Sequence, residues 1–138
     1  MRRMQPPLQI AVMIASDHPI MRDGLRLCIQ RETDMRVVCE ASDLAQLLRE
    51  FRICRPHVVI LDLSQPRDAS LRAMNAIRNL SLEIPLVIFV SELEELDESP
   101  GTRGATVTVS RLRASQEIIP AIRKVIAQPH GPGRVDPP

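Results

Sequence analysis

The sequence predicts an α/β fold in which a doubly wound, five-stranded parallel sheet carries helices on both faces. Five short apolar runs alternate along the chain with stretches of helical spacing, and right-handed connections turn such an alternation into a parallel sheet. The runs are apolar almost throughout, which is typical of strands that are buried on both faces. With 138 residues, of which 44% are hydrophobic, the chain can bury a core as one domain.

The first strand and helix are predicted within residues 8–30. The strand covers residues 8–15 and stops at Ser16. Asp17 is a candidate N-cap, and Pro19 suits the first helical turn. The following helix places an apolar set on one face at helical spacing: Met21, Leu25, Cys28 and Ile29. Gly24 in its interior costs about 1 kcal/mol relative to alanine, so we expect a packing reason for it.

The second unit leads into the strand around which the chain is organised. A short strand at residues 35–40 is followed by a helix that Ser42 or Asp43 can cap. The apolar stripe of that helix consists of Leu44, Leu47, Leu48 and Phe51. The third strand, residues 57–61, is short, rich in β-branched residues and preceded by proline, which favours a buried strand over a helix. It ends abruptly on Asp62.

The remaining elements continue the alternation. A third helix carries Leu71, Met74, Ile77 and Leu80, and a fourth strand follows at residues 86–90. Five acidic residues between Glu92 and Glu98 repel one another at helical spacing, so we expect a short or frayed helix, or a loop. A fifth strand is predicted at residues 105–109 and a last helix at residues 115–127. Pro120 must lie near the first turn of that helix or kink it.

Composition and charge argue against several classes of protein. The formal net charge of +1 is unlike the basic excess of a general nucleic-acid or membrane-surface binder. No apolar run approaches the roughly 18 residues of a membrane span, so we expect a cytoplasmic protein. The three cysteines lack zinc-ligand spacing, which predicts reduced, buried thiols. A nucleotide-binding enzyme is disfavoured because no glycine-rich loop follows the first strand.

Polar residues follow the apolar runs at four points of the predicted sheet. Ser16 and Asp17 follow the first strand, and Asp62 ends the third. Ser91 follows the fourth strand, and Arg111 follows the fifth. Because the carboxyl ends of parallel strands lie at one edge, where open α/β sheets place their chemistry, we expect these side chains to lie close together.

Three segments resemble the receiver domain of two-component response regulators. They are residues 15–25 (ASDHPIMRDGL), residues 58–66 (VVILDLSQP) and the pair at residues 104–105 with Arg111 beyond it. The first segment is similar to the LuxR/NarL-type subclass, which is usually fused to a DNA-binding helix-turn-helix. The resemblance covers about residues 9–127, and its motifs are specific in their order and spacing.

The resemblance implies a flavodoxin-like (βα)5 fold with strand order 2-1-3-4-5. The receiver domain is then expected at residues 8–127. Residues 1–7 are an N-terminal extension, and residues 128–138, rich in proline and glycine, are expected to be a flexible, linker-like tail.

The same resemblance assigns roles at the strand ends. In the family, an aspartate at the position of Asp62 accepts a phosphoryl group from a histidine kinase. Mg²⁺ would be held by Asp17, Asp62 and the backbone carbonyl of Ser64. Such chemistry depends on positioning and on a cation that neutralises phosphate charge, since a carboxylate is a weak nucleophile.

Three positions depart from the family pattern. Ser16 stands where the family has a first acid, so we expect a weakened affinity for Mg²⁺. The hydroxyl position after strand four falls on Val90 by spacing, or on Ser91 after a slip of one residue. Arg111 replaces the usual lysine, and its planar fork is not equivalent to a compact ammonium group. We expect Arg111 to lie near the Asp62 carboxylate.

Two functions remain open from the sequence, neither of them enzymatic. The first is a receiver that accepts a phosphoryl group on Asp62 with weakly held Mg²⁺ in a degenerate site. The alternative is a phosphorylation-independent pseudo-receiver that acts as a protein–protein interaction module. The expected partners are a histidine kinase or another signalling protein, and a second copy in a homodimer. Direct nucleic-acid binding by this chain is not expected, because the residues after 127 are too few for a helix-turn-helix.

Overall fold

A computed structural model describes residues 9–91 and 105–128. In chain order its elements are β1 (Ile10–Ser16), α1 (Pro19–Gln30), β2 (Met35–Ala41), α2 (Leu44–Cys54), β3 (Val58–Asp62), α3 (Ala69–Leu80), β4 (Leu86–Val90), β5 (Thr106–Ser110), a 3-10 helix (Arg111–Arg113) and α4 (Ala114–Ala127). The predicted bounds of β4 match the structure, and those of the other strands differ by at most two residues, as is usual at the ends of elements.

The five strands form one sheet in the order β2-β1-β3-β4-β5. All four pairings between neighbouring strands are parallel, so the predicted fold class and strand order are confirmed. The register pairs Ser16 with Asp62 between β1 and β3, and Val90 with Ser110 between β4 and β5. These pairings bring the carboxyl ends of the strands to one edge of the sheet.

Each face of the sheet has its own hydrophobic core, because successive side chains of a strand point to opposite faces. In β1, Val12 and Ile14 pack in a cluster with residues of α1 and α4. Met13 and Ala15 pack in a second cluster with residues of α2 and α3. The helices therefore cover both faces, as the continuous apolar runs of the strands predicted.

The helix starts confirm one predicted cap and correct another. Asp43 caps α2, since its side chain accepts a hydrogen bond from the amide of Gln46 at 2.8 Å. The N-cap of α1 is His18 and not Asp17, whose carboxylate is engaged elsewhere, while Pro19 does open the helix. Pro120 lies inside α4 and not near its first turn, so the first of the two predicted arrangements does not hold.

Several sequence predictions fall outside the described residues. They are the N-terminal extension at residues 1–7, the acidic stretch at residues 92–98 and the tail beyond residue 128. The cysteines are free, as expected, but they are only half-buried. Within residues 9–91 and 105–128, none of the helices has the length and apolar character required to cross a membrane.

Gly24 has no packing reason within the described structure, which overturns our expectation. A Cβ atom built at this position would meet no atom within 4 Å. We therefore expect Gly24→Ala to raise the free energy of unfolding by about 0.5–1 kcal/mol, because alanine restricts the unfolded chain and favours the helix. Urea denaturation measures the change. Ala76→Gly in α3 is the matched control and should lower stability; a destabilising Gly24→Ala would show that the glycine is needed for the fold itself.

Candidate functional site

The polar residues predicted at the strand ends meet around Asp62. The Asp62 side chain has 0% exposure, although it lies at the end of β3. Its Oδ2 atom accepts a hydrogen bond from the Ser16 hydroxyl at 2.9 Å. Its Oδ1 atom accepts one from the Nε–H of Arg111 at 2.8 Å, which is also an ion pair. Both carboxylate oxygens are thus bound within the chain.

The ionisation of Asp62 reflects a balance between burial and these partners. Burial raises the pKa of the Asp62 carboxyl above its ordinary value, because a charge is costly away from water. The hydrogen bond from Ser16 and the charge of Arg111 oppose this rise and overcome it only in part. Arg111 is therefore the main positive charge that compensates a fully buried carboxylate.

Ser16 has contacts beyond Asp62 that fix the end of β1. Its hydroxyl oxygen accepts a hydrogen bond from the amide of His18 at 3.1 Å. Its backbone carbonyl accepts one from the guanidinium of Arg22 at 2.6 Å. The serine that stands in place of the family's acid therefore joins the Asp62 carboxylate to the start of α1.

Asp17 binds the loop after β3 instead of facing Asp62. Its Oδ2 atom accepts hydrogen bonds from the backbone amides of Ser64 at 2.9 Å and Gln65 at 2.8 Å. Its Oδ1 atom accepts one from the Ser64 hydroxyl at 3.2 Å. Burial alone would raise the pKa of Asp17, but these hydrogen bonds together hold it below its ordinary value. The ionised carboxylate is therefore a structural anchor for this loop.

Replacing Asp17 with asparagine is expected to lower the free energy of unfolding at pH 7 by about 1–2 kcal/mol, because charge-assisted hydrogen bonds to the loop are lost. Since the folded pKa of Asp17 lies below its unfolded value, its contribution is present above about pH 4 and disappears as the pH falls through the folded pKa. Between pH 7 and pH 3, Asp17→Asn should therefore lose less free energy of unfolding than the wild type does. Urea denaturation at both pH values measures this, with Asp23→Asn as the exposed control; equal losses in wild type and Asp17→Asn would contradict it.

His18 and Ser64 also meet in this cluster. The Nε2 atom of His18 lies 2.8 Å from the Ser64 hydroxyl and 3.3 Å from Oδ1 of Asp17. The resemblance assigns the Ser64 carbonyl to a metal, whereas the hydrogen bonds of Ser64 to Asp17 use its amide and hydroxyl. No sequence pattern indicates the His18 contact, because it joins residues 46 positions apart in the chain through the conformation of the β3–α3 loop.

A cavity of about 550 Å³ lies beside the cluster. Ser64 and Arg111 line it, together with the β3–α3 loop and the end of β4. Of the two candidate positions after β4, Val90 lines the cavity and Ser91 is absent from its described lining. An apolar side chain therefore faces the space in which the family has a hydroxyl.

The arrangement does not fit a bound Mg²⁺ ion. Receiver domains generally bind Mg²⁺ among acidic side chains at the phosphorylation site, and this ion requires nearly octahedral oxygen coordination. Here all four carboxylate oxygens of Asp17 and Asp62 are engaged by donors of the chain. Across residues 9–91 and 105–128, no three His, Cys, Asp or Glu side chains are grouped so as to hold a metal ion. A cation would have to share these oxygens with the donors, beside the positive charge of Arg111.

Comparisons with known proteins agree with the geometry. A family model described as the response regulator receiver domain matches residues 12–122. The transcriptional regulatory protein YxjL of Bacillus subtilis is 30% identical over 116 residues, which cover 83% of this chain and 53% of that protein. The nitrate/nitrite response regulator NarL of Escherichia coli is 28% identical over 117 residues, covering 84% of this chain and 54% of NarL. The chain thus spans about half the length of these relatives.

Solved structures give the same result. A LuxR-family two-component response regulator from Aurantimonas sp. superposes with a TM-score of 0.74 at 27% identity, over 86% of both chains. The response regulator domain of Thermotoga maritima CheB superposes with a TM-score of 0.73 at 18% identity, over 88% of this chain and 98% of that one. The second similarity concerns the fold alone.

Proposed function

Because the chain belongs to the response regulator receiver domain family of two-component systems, we propose that it is a pseudo-receiver: an interaction module whose state is not set by Mg²⁺-dependent phosphorylation of Asp62. The observation that carries this proposal is the ion pair between Asp62 and Arg111. Receiver domains are signalling domains and not enzymes, so the proposal concerns how this one receives its signal.

Arg111 and Ser16 take over the role that a metal has in the family. A buried carboxylate needs a positive partner and further hydrogen bonds. Arg111 supplies the charge at 2.8 Å, and Ser16 supplies the second hydrogen bond at 2.9 Å. With both oxygens engaged and the Asp62 side chain 0% exposed, a phosphodonor cannot approach the carboxylate until Arg111 moves.

Asp17 and Val90 support the same function. Asp17 is committed to the β3–α3 loop through two backbone amides, so it does not present a free edge to a cation. Val90 lines the neighbouring cavity and cannot donate a hydrogen bond to a phosphoryl oxygen. A switch needs a ligand that binds one state several kcal/mol better than the other, and two of the contacts that would supply this difference are lacking.

Phosphoryl acceptance on Asp62 is the competing function, with Asp17, Asp62 and Ser64 around Mg²⁺ and Arg111 on the phosphoryl group. The cavity of about 550 Å³ beside Ser64 and Arg111 favours it, since a phosphoryl group needs open space next to Asp62. In this function a histidine kinase is the partner, as for the family. In the pseudo-receiver, the partner is a signalling protein that recognises the domain in its unmodified form.

An amide NMR titration distinguishes the two functions. Mg²⁺ is added to millimolar concentration, followed by beryllofluoride, with Asp62→Asn as the matched control. The pseudo-receiver predicts no saturable shifts at Asp17, Asp62, Ser64 or Arg111. Saturable shifts at these residues in the wild-type protein that are absent in Asp62→Asn would establish phosphoryl acceptance and overturn our proposal.

A further inference from the structure

Two of the three cysteines are neighbours on the face of the sheet that α2 and α3 cover. Cys39 belongs to β2 and packs against the hydrophobic cluster of that face. Cys54 is the last residue of α2. Its Sγ atom lies 3.9 Å from the carbonyl oxygen of Val38, the residue before Cys39. The end of α2 therefore holds the Cys54 thiol against β2 beside Cys39.

The pairing of β2 is irregular at this point. The register joins Val12 to Val37 and Met13 to Cys39, so it skips Val38. The Val38 carbonyl accepts a weak hydrogen bond from the Cys54 thiol. Among the described strands, β2 lies at an edge of the sheet and pairs with β1 alone. It can therefore adjust to a new covalent bond more easily than a central strand.

The third cysteine lies on the other side of the sheet. Cys28 belongs to α1 and packs against the cluster that β1 shares with α1 and α4. The sheet thus separates Cys28 from the thiol of Cys39. In the folded chain we expect Cys39 and Cys54 to be the only two cysteines that can bond to each other without a large rearrangement.

The environment of the pair assigns different roles to the two thiols. Both are half-buried, so a small reagent can reach them. Burial, and after it the neighbouring Cys54 thiol, raises the pKa of the Cys39 thiol. Cys39 therefore stays protonated at neutral pH, and because the thiolate is the reactive form, the first attack falls to Cys54.

We propose that Cys39 and Cys54 form a redox modification site, at which the disulfide of a low-molecular-weight thiol reversibly cross-links β2 to the end of α2. The inference does not depend on the function proposed above, because it involves no residue of the site around Asp62.

The reaction is two successive thiol–disulfide exchanges. The Cys54 thiolate attacks one sulfur of the small disulfide, and the other sulfur leaves as a thiolate. Cys39 then gives its proton to solvent and attacks the Cys54 sulfur, which releases the second small thiolate. Two protein thiols are oxidised to one disulfide, and one small disulfide is reduced to two thiols. An excess of the small thiol reverses both steps.

A metal ion is a less suitable ligand for the pair. Glu50 is the nearest recorded acidic group, with its Oε1 atom 3.9 Å from the Sγ atom of Cys54. Even with this carboxylate, the three residues are not grouped so as to hold a metal ion, since the described residues contain no such group of three. Two thiolates alone leave the tetrahedral coordination of zinc half-filled.

The test is incubation of the full chain with oxidised glutathione at pH 7.5, followed by iodoacetamide and mass spectrometry without reductant. The reduced chain should be alkylated on all three cysteines, and the oxidised chain on Cys28 alone. A tryptic digest of the oxidised chain should contain residues 37–49 joined to residues 53–67. Dithiothreitol should restore alkylation of Cys39 and Cys54.

The same chain unfolded in concentrated urea is the matched control for geometry. Ring closure in an unfolded chain depends only weakly on ring length, so all three pairings of the cysteines should appear there. In the folded chain, the bridge between Cys39 and Cys54 should exceed the other two pairings by at least about tenfold. Cys28→Ser should form this bridge at the wild-type rate.

Three results would overturn the proposal. The first is a folded wild-type chain that carries only mixed disulfides with glutathione. The second is a bridge that includes Cys28, and the third is the same mixture of pairings with and without urea. All three are measured on the wild-type chain, so the outcome does not depend on whether a cysteine variant folds.

Discussion

Replacing Arg111 with alanine is expected to lower the free energy of unfolding at neutral pH by about 2–4 kcal/mol, because it leaves a buried carboxylate without its charged partner. Asp62 is fully buried, and Arg111 lies at 2.8 Å with 29% of its side chain exposed. Among the described residues, only Ser16 would still donate a side-chain hydrogen bond to the Asp62 carboxylate. Because Arg111 is partly exposed, we expect a smaller loss of unfolding free energy than for a completely buried ion pair.

The stability lost in Arg111→Ala should increase with pH. Burial already raises the pKa of Asp62, and removal of Arg111 raises it further. A carboxyl group whose folded pKa lies above its unfolded value loses stability as the pH rises from the unfolded pKa through the folded pKa, because over this range the unfolded state binds fewer protons than the folded state. The difference between wild type and Arg111→Ala should therefore be smaller at pH 5 than at pH 7.5.

Urea denaturation at both pH values measures this effect, and two variants serve as controls. Arg113→Ala removes a neighbouring arginine that lies 3.8 Å from Glu117 and whose side chain is 64% exposed. Because an exposed ion pair contributes little, this variant should change the free energy of unfolding by less than about 0.5 kcal/mol. The double variant Asp62→Asn/Arg111→Ala removes both charges and should recover part of the loss. An Arg111→Ala protein as stable as Arg113→Ala would show that the ion pair does not compensate the burial of Asp62.

The sheet and the location of the site could be predicted from sequence because they depend on local patterns. Continuous apolar runs distinguish strands buried on both faces, and alternation with helices determines that they are parallel. Once strands are parallel, their carboxyl ends share an edge. The proximity of Ser16 to Asp62 follows from this, since the register pairs them directly.

The contacts of individual side chains could not be predicted in the same way. Asp17 has the position of an N-cap and of a metal ligand in the sequence, yet its carboxylate binds the amides of Ser64 and Gln65. These amides lie 47 and 48 residues away in the chain, and their direction depends on the conformation of a loop that has no periodic pattern.

Arg78 shows the same limitation in the core. An arginine in an amphipathic helix is expected to be exposed, whereas Arg78 is 5% exposed. Its guanidinium donates to the carbonyls of Ile84 and Ala105, and burial lowers its pKa to about 10. It binds the end of α3 to the starts of β4 and β5, a contact that arises only when these elements are packed together.

Replacing Ser16 with aspartate is expected to make the stability of the domain depend on Mg²⁺, which that of the wild type should not. The Ser16 hydroxyl is 2.9 Å from Oδ2 of Asp62, so a carboxylate at this position faces a second one. Without a cation, their repulsion should cost about 2 kcal/mol or raise the pKa of one group. A divalent cation bound between the carboxylates at positions 16 and 62 would remove this repulsion.

The measurement is urea denaturation in chelator and in Mg²⁺ at about ten times its dissociation constant, where binding to the folded state adds about 1.4 kcal/mol. Ser16→Asn is the matched control, since it has the same shape without the charge and should not respond. Wild type should not respond either, because Arg111 already neutralises Asp62. If Mg²⁺ stabilised wild type as much as Ser16→Asp, the native site would hold the cation without the added acid, and phosphoryl acceptance on Asp62 would be favoured over the pseudo-receiver.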